Sequence, residues 1–552
     1  MDHEVIMGNG STPTASRTTR QRPLTRRALF RNGGLLAATG LAPAGAAAAS
    51  SAGKLSLGSD LYESIGVRPV INATGPITMY GGSIILPEVR EAMAQASKRY
   101  VQIDELMESV GKRLAEITGA EAAIVTSGCA AALAHATSGC IAGGNPERIR
   151  RLPSLAGLKD EVIAPITSRN GYDHAIRMLG IKMIEVANEK ELRDAIGPRT
   201  AMVSVLAKTA DQSETFGLSR ITRVAREYGV PVLVDAAAED LSLPNIHLER
   251  GADLVAYSGG KAIHGPQSTG LLIGRKDLVQ SAWLNSAPHG SFGRPMKVAK
   301  ENIMGLLAAV EMWPQRDHAA EWRTWQAWTE EISASVRRVP GVRTNVQLIE
   351  GLPQSDPLTA LKWERKPRLE VLWNTERLGI GGEEVFRHLY NEDPRIILRS
   401  GTGNRRQGGE SQLLVIPTFM QRGDANVVAE RLYRVLSDPP QREQSKSTGS
   451  QANVAGRWDL KIDFVYGSAD HTLTFAQEGG DLSGEHRGEI TTGDLAGWVD
   501  GNRIHFRDSH TYEAATFGYE FEGEVTGDTM QGDLGLGAYG SARWTARRRP
   551  YA

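Results

Sequence analysis

Leu254-Val255-Ala256-Tyr257-Ser258-Gly259-Gly260-Lys261 decides the fold of this chain. Four residues of a strand run into a glycine turn and a lysine. A second apolar run, Gly270-Leu271-Leu272-Ile273-Gly274, follows just after Gly265-Pro266. Short continuous apolar runs suit strands covered on both faces by helices. A lysine in the turn between two such strands is driven inward, where desolvation lowers its pKa and favours the free amine that covalent catalysis needs. A phosphate-binding P-loop is the rival reading. It requires Ser or Thr after the lysine, and Ala262 fails that test.

The same kind of strand recurs on the N-terminal side at Ala122–Val125, Glu161–Ala164, Thr200–Val205 and Val230–Val234. Amphipathic segments such as Leu218–Tyr228 lie between them. Alternation of this kind predicts an α/β fold with a mostly parallel, doubly wound sheet. The large α/β domain is expected over 60–310. A Trp-rich helix then leads into a small α/β domain over 311–437, and Pro, Gln, Ser and Lys mark a linker over 438–453. Beyond it, over 454–552, Trp458, Leu460, Ile462 and Phe464 alternate with Asp459, Lys461 and Asp463. Turns at Gly479-Gly480, Asp500-Gly501 and Thr526-Gly527 complete a pattern of about eight strands, which predicts a small antiparallel β-barrel. Its opening Gly456-Arg457-Trp458 resembles the first strand of lipocalin-like barrels.

The first 52 residues read as an export signal. Arg17, Arg20, Arg22, Arg26, Arg27 and Arg31 precede a small, weakly apolar stretch over Gly33–Ala49. The pair Arg26-Arg27 sits as it does in a twin-arginine signal, with cleavage expected among Ala46–Ala52 and no stable membrane span. The expected location is periplasmic or extracellular, with the Tat translocase as a transient partner. That route carries folded proteins, often with a cofactor already inserted.

The chain has 552 residues, and 63 Lys and Arg face 64 Asp and Glu, for a net charge of −1. Such balance argues against a nucleic-acid partner held by bulk charge. Only two cysteines are present, Cys129 and Cys140, so a disulfide framework is excluded, and no Cys/His spacing marks a metal site. The 60 glycines call for tight turns or for backbone that approaches a ligand closely.

Two further features join Lys261. Asp235 stands at the C-terminal end of a buried strand, where ligands bind in open α/β sheets. Thr126-Ser127-Gly128-Cys129 leaves a strand and opens a helix, whose N-terminal amides form an anion site. A phosphate site, a carboxylate and an inward lysine, in this order, are what pyridoxal 5'-phosphate needs. Ser127, Gly128 and Cys129 would anchor the phosphate with Ser258 as helper. Asp235 would pair with the ring nitrogen, and Lys261 would hold the cofactor as a Schiff base.

Residues from Leu61 to Leu436 resemble the fold-type-I pyridoxal-phosphate enzymes of the selenocysteine synthase and D-glucosaminate-6-phosphate ammonia-lyase group. The stretches that carry the likeness are Val70–Gly75, Glu121–Ala132, Val234–Ala237, Tyr257–Gly270 and Gly293–Glu301. By that resemblance Arg294, Lys297 and Lys300 face the anionic groups of the substrate, across a dimer interface, and Arg399 grips a substrate carboxylate. Asn170 and Tyr172 occupy the loop that supplies a residue stacking on the ring, although related lyases carry a His where Asn170 falls. His264 is read as structural. Asn72–Gly82 is expected to reach a neighbour's site in a homodimer.

A small amino acid or amino-sugar acid is the expected substrate, because a charged tRNA is not available outside the cytoplasm. β-Elimination with release of ammonia is the leading chemistry, with Lys261 moving the Cα proton. A transferase or racemase is the alternative, and a non-catalytic binding protein the outsider.

Overall fold

A computed structural model of the chain describes residues 53–207, 216–347, 366–403, 408–440 and 451–550. The expected leader and residues 441–450 of the expected linker lie outside these. Contacts divide the chain into two compact units, Ala46–Lys446 with Thr511–Thr516, and Ser447–His510 with Phe517–Ala552. No helix among the described residues is long and apolar enough to cross a membrane.

The larger unit contains two sheets. Its N-terminal strand β1 (Ile71–Ala73) belongs to the smaller one. The seven-stranded sheet is formed by β2 (Ala122–Thr126), β3 (Glu161–Pro165), β4 (Lys182–Val186), β5 (Thr200–Leu206), β6 (Val232–Asp235), β7 (Leu254–Ser258) and β8 (Gly270–Gly274), in the order β2-β8-β7-β6-β5-β3-β4. From β7 through β4 all neighbours pair in parallel, while β8 runs antiparallel to both β2 and β7. Val203, Val234, Val255 and Ile273 are fully buried, as expected of strands with helices on both faces.

Helix α1 (Cys129–Ala142) follows β2 and is buried nearly all round. Its seam is closed by Gly139, where a Cβ would fall 2.9 Å from the Ala282 backbone nitrogen of the neighbouring helix. Helix α2 (Leu218–Glu227) shows the expected amphipathic pattern, burying Leu218, Ile221, Val224 and Ala225.

The smaller sheet is β1-β11-β12-β10-β9, adding β9 (Arg343–Gln347), β10 (Arg368–Asn374), β11 (Ile396–Thr402) and β12 (Glu410–Val415). Ile71, Asn72 and Ala73 pair in parallel with Ile396, Ile397 and Leu398, more than 300 residues on. The small domain is thus completed by a strand from the N-terminal side, which the expected boundaries assigned to the large domain. Helix α3 (His318–Val336) and helix α4 (Asp424–Ser437) add to a core around Trp373, whose indole N–H donates to Ile380 O at 2.7 Å.

The second unit is an up-and-down antiparallel barrel. Strands β13 (Gly456–Asp463), β14 (Ser468–Glu478), β15 (Asp481–Arg487), β16 (Thr492–Asp500), β17 (Arg503–Tyr512), β19 (Glu520–Thr526), β20 (Thr529–Gly535) and β21 (Ser541–Arg548) each pair with the next. Pairing of β21 with β13 closes the ring, and the short β18 (Ala515–Phe517) lies beyond β17. Closure leaves no free sheet edge in the eight-stranded ring. Inward Trp458, Leu460 and Ile462 alternate with exposed residues as the sequence predicts, and Phe506 stacks on Phe521 at 4.3 Å in the centre.

Candidate active site

The C-terminal ends of β2, β6 and β7 bring the three sequence features together. Strand β8 is the reason two of them meet. In register, Gly270 sits opposite both Thr126 of β2 and Ser258 of β7, so one residue joins the end of the anion loop to the start of the lysine turn. A Cβ on Gly270 would lie 2.5 Å from the Gly128 carbonyl carbon and 2.6 Å from Thr126 Oγ1. Only glycine allows that approach.

Gly128 has φ +84°, in the left-handed region that glycine favours, and it is the residue before the first turn of α1. Its carbonyl accepts the Thr126 hydroxyl at 2.8 Å, and its N–H donates to Thr126 O at 3.0 Å. The turn therefore presents Ser127, Gly128 and the N-terminus of a fourteen-residue helix. The Cys129 side chain does something the sequence reading missed. Its sulfur lies 3.8 Å from Asp235 Oδ1, against the carboxylate rather than the anion loop. Burial and the Asp235 charge push its thiol well up, so it stays protonated and can donate to that oxygen.

Asp235 is 7% exposed at the end of β6. Its Oδ1 accepts the Ala237 N–H at 3.0 Å. Burial pushes its carboxyl above the ordinary range, while that hydrogen bond and the Lys261 charge pull the other way. This is a carboxylate in need of a cationic hydrogen-bond donor.

Lys261 leaves a turn packed without slack. Gly259 N–H donates to Thr269 O and Gly265 N–H to Gly259 O, both at 2.8 Å. A Cβ on Gly259 would stand 2.2 Å from Thr269 Oγ1, and one on Gly260 2.5 Å from Gln267 Cα. The Ser83 hydroxyl donates to Gly260 O at 2.7 Å and braces the turn from the Asn72–Ser83 segment. Asn72 shapes that segment by accepting from the Thr74 and Gly75 N–H groups and donating to Gly75 O. Within its own chain, then, the segment supports the lysine turn.

Across from the lysine is the loop after β3. The Lys261 ammonium nitrogen stands 6.0 Å from the centre of the Tyr172 ring. Asn170 is tied into that loop through both ends of its amide. Its Oδ1 accepts the Tyr172 N–H at 2.7 Å and its Nδ2 donates to Ser168 O at 3.1 Å, so it sets the loop that carries Tyr172. Arg169 fixes the same loop through ion pairs with Asp173 and Glu185.

His264 has φ +57°, donates its Nδ1–H to Ile84 O at 3.1 Å, and stacks on Phe419 at 5.3 Å. Burial, aided by Arg316, pushes its imidazole down to about 4, so it is neutral. Lys300 is tied within the chain, donating to Ala96 O at 2.7 Å and pairing with Glu301. Arg294 and Lys297 are exposed on the segment before it. Arg399 is also exposed, one residue beyond the Leu398–Ala73 pair that ends β1. Among the described residues, no hydrogen bond or ion pair joins these three cations to Lys261 or its turn.

The site fits pyridoxal phosphate. A buried carboxylate bonded, among the described residues, only by a backbone N–H and a thiol, a lysine in a glycine turn, an aromatic ring across from it, and a helix N-terminus that a Gly270 side chain would crowd suit that cofactor.

Residues 88–292 match the family model of aminotransferase class-V. The chain is 28% identical over 392 residues to D-glucosaminate-6-phosphate ammonia lyase of Salmonella typhimurium (strain 14028s / SGSC 2262), covering 68% of this chain and 98% of that protein. It is 35% identical over 300 residues to 5'-C-glycyluridine monooxygenase-decarboxylase of Streptomyces sp, covering 51% of this chain and 72% of that protein. A solved structure of D-glucosaminate-6-phosphate ammonia-lyase superposes with a TM-score of 0.57 at 28% identity, over 68% of this chain and 97% of that one.

Proposed function

Within a chain that belongs to the aminotransferase class-V family of pyridoxal-phosphate enzymes, we propose an ammonia-lyase that acts on a small β-hydroxylated amino acid or amino-sugar acid. The observation that carries this reading is the meeting of the Ser127–Cys129 helix start, Asp235 and the Lys261 turn at one end of the large sheet. The likeness to an ammonia lyase over nearly all of that relative's length supports the choice of reaction.

When bound, the cofactor supplies an electron sink for the bonds at the substrate Cα. The chain's own residues do the rest. The Ser127–Cys129 amides and Ser258 would hold the phosphate. Asp235 would keep a proton on the ring nitrogen, and the cationic ring would in turn stabilise the buried carboxylate. Lys261 would carry the cofactor, and its freed amine would take the proton from Cα and return one after the β-hydroxyl has left. The net change is loss of ammonia and formation of a keto acid, with the water expelled in elimination regained in hydrolysis. Tyr172 would shield that amine from solvent on one side.

The test is a panel of β-hydroxy amino acids and amino-sugar acids, with ammonia and keto-acid release followed and no keto acid added. Wild type should release both in equal amounts, and Lys261→Ala should lose about 10²- to 10⁴-fold in rate, the share of a positioned base. Product that forms only when a keto acid is supplied would replace the lyase by a transferase. A second reading is favoured by the 35% identity to a monooxygenase-decarboxylase. It requires oxygen consumption and carbon dioxide release, which the same panel under air and under argon separates.

We further propose that the protein leaves the cytoplasm by the twin-arginine route and works as a homodimer, with the barrel a lipocalin-like appendage. Arg26→Lys with Arg27→Lys should hold the protein in the cytoplasm, and sedimentation should give twice the chain mass.

A further inference from the structure

The interior of the barrel is apolar except at one end. There, inward positions of three strands carry His471 on β14, His486 on β15, and Asp508 and His510 on β17. The side chains of His486, Asp508 and His510 are fully shielded from solvent. Four polar groups in the core of a small barrel cost stability unless something repays their desolvation.

Their geometry is that of a ligand set. His486 Nδ1 and His510 Nε2 are 3.2 Å apart, and His510 Nε2 is 3.4 Å from Asp508 Oδ1. A tetrahedral zinc ion with bonds of about 2.0–2.1 Å separates its ligand atoms by about 3.3–3.4 Å. His486 Nδ1 approaches the other carboxylate oxygen, Asp508 Oδ2, in a hydrogen bond at 2.5 Å that an entering cation would open.

Each ligand atom also has the outer partner a metal ligand needs. A ligating imidazole gives its other N–H to an acceptor. His510 Nδ1 is 2.9 Å from Thr491 Oγ1, and His486 Nε2 is 2.9 Å from His471 Nδ1. Asp508 Oδ1 is oriented by the Tyr519 N–H at 3.0 Å.

A second, independent observation is the gap these residues share. Strand β16 lies between β15 and β17, and its inward position there is Gly493, opposite His486 in register. A Cβ on Gly493 would stand 2.9 Å from His510 Cδ2 and 3.0 Å from Nε2. A side chain there would press on the His510 ring and, at 2.5 Å, on the Ser509 carbonyl oxygen.

We propose that the barrel holds a divalent zinc-type cation on His486 Nδ1, His510 Nε2 and the Asp508 carboxylate, with a fourth position open to water or a small anion. Binding would replace the hydrogen bond between His486 and Asp508 by bonds from both side chains to the cation. The site owes nothing to the pyridoxal-phosphate reading. Asp508 and His510 share β17 and His486 comes from β15, a spacing that matches no Cys/His metal motif.

The experiment uses the full chain, stripped with chelator and titrated with Zn²⁺ by calorimetry, with retained metal counted by mass spectrometry after gel filtration. Wild type should keep about one zinc per chain, and its melting temperature should rise with the metal. Asp508→Asn and His510→Gln should retain none. Thr491→Val should bind about 10- to 100-fold more weakly, the usual effect of losing an outer partner. Lys261→Ala should bind as wild type, which separates this site from the catalytic one. Equal binding by wild type and a folded Asp508→Asn protein would overturn the proposal, as would a wild type that keeps no metal. Should the variants fail to fold, zinc-edge absorption on wild type decides. Two imidazoles in a four-coordinate shell are required, and a six-oxygen shell refutes the site.

Discussion

Asp235 is the residue on which the electrostatics of the catalytic site turn. Burial pushes its carboxyl above the ordinary aspartate value of about 3.9, so the cofactor-free native state holds a proton that the unfolded chain releases. The sign follows. Folding stability of the cofactor-free protein falls as pH rises from the ordinary value to the raised one, and stays low above it. Asp235→Asn removes the charge but keeps an acceptor for the Ala237 N–H. It should flatten that pH slope and raise the melting temperature of the cofactor-free protein at neutral pH. The same change should weaken cofactor binding about 10- to 100-fold, since a charge-assisted hydrogen bond is worth about 1.5–3 kcal/mol. Calorimetric melts at several pH values, with and without pyridoxal phosphate, check both halves. A variant less stable than wild type without cofactor would refute the account. Asp235, Lys261 and Ser127–Cys129 were legible in the sequence because each stands where a strand ends in a local signal. The direction of the Cys129 thiol and the loop-setting role of Asn170 were not, because each depends on a contact made only in three dimensions.

At the scale of elements, β8 is what assembles the site. It runs backwards between two strands that point the same way, and so lays Gly270 against the Gly128 turn on one side and Ser258 on the other. Gly270→Ala must move the Gly128 backbone, which sits 2.5 Å from the new Cβ. The expected loss of stability is about 1–3 kcal/mol, as for other overpacked positions. Cofactor affinity should fall with it, because the displaced turn is the proposed phosphate anchor. Denaturant melts and a cofactor titration by fluorescence measure the two effects. Loss of stability with unchanged affinity would remove this turn from the phosphate site. The strands themselves were legible from their apolar runs, and the parallel character from the helices between them. The pairing of β1 with β11 was not. Three residues, Ile71–Ala73, carry no signal of which sheet they join, and the partner lies more than 300 positions away.

At the scale of the molecule, the apolar cores do not merge. The catalytic unit has clusters around its two sheets, and the barrel has its own around Trp458, Phe506, Phe521 and Trp544. Past the expected linker, strict alternation with glycine turns replaces continuous apolar strands in the sequence. Two compact units, neither sharing an apolar core with the other, imply two cooperative units. Calorimetry on the full chain should therefore show two transitions, each answering to a different perturbation. Phe506 is fully buried between Phe475, Phe521 and Trp544. Phe506→Ala should cost the barrel about 3–5 kcal/mol and lower one transition alone. Pyridoxal phosphate at about 100 times its dissociation constant should raise only the other, by about 2.7 kcal/mol. A cofactor that shifted both transitions together would mean that the barrel and the catalytic unit unfold as one. Two independent responses would instead make the barrel a module with its own stability, which is the condition for it to have a ligand of its own.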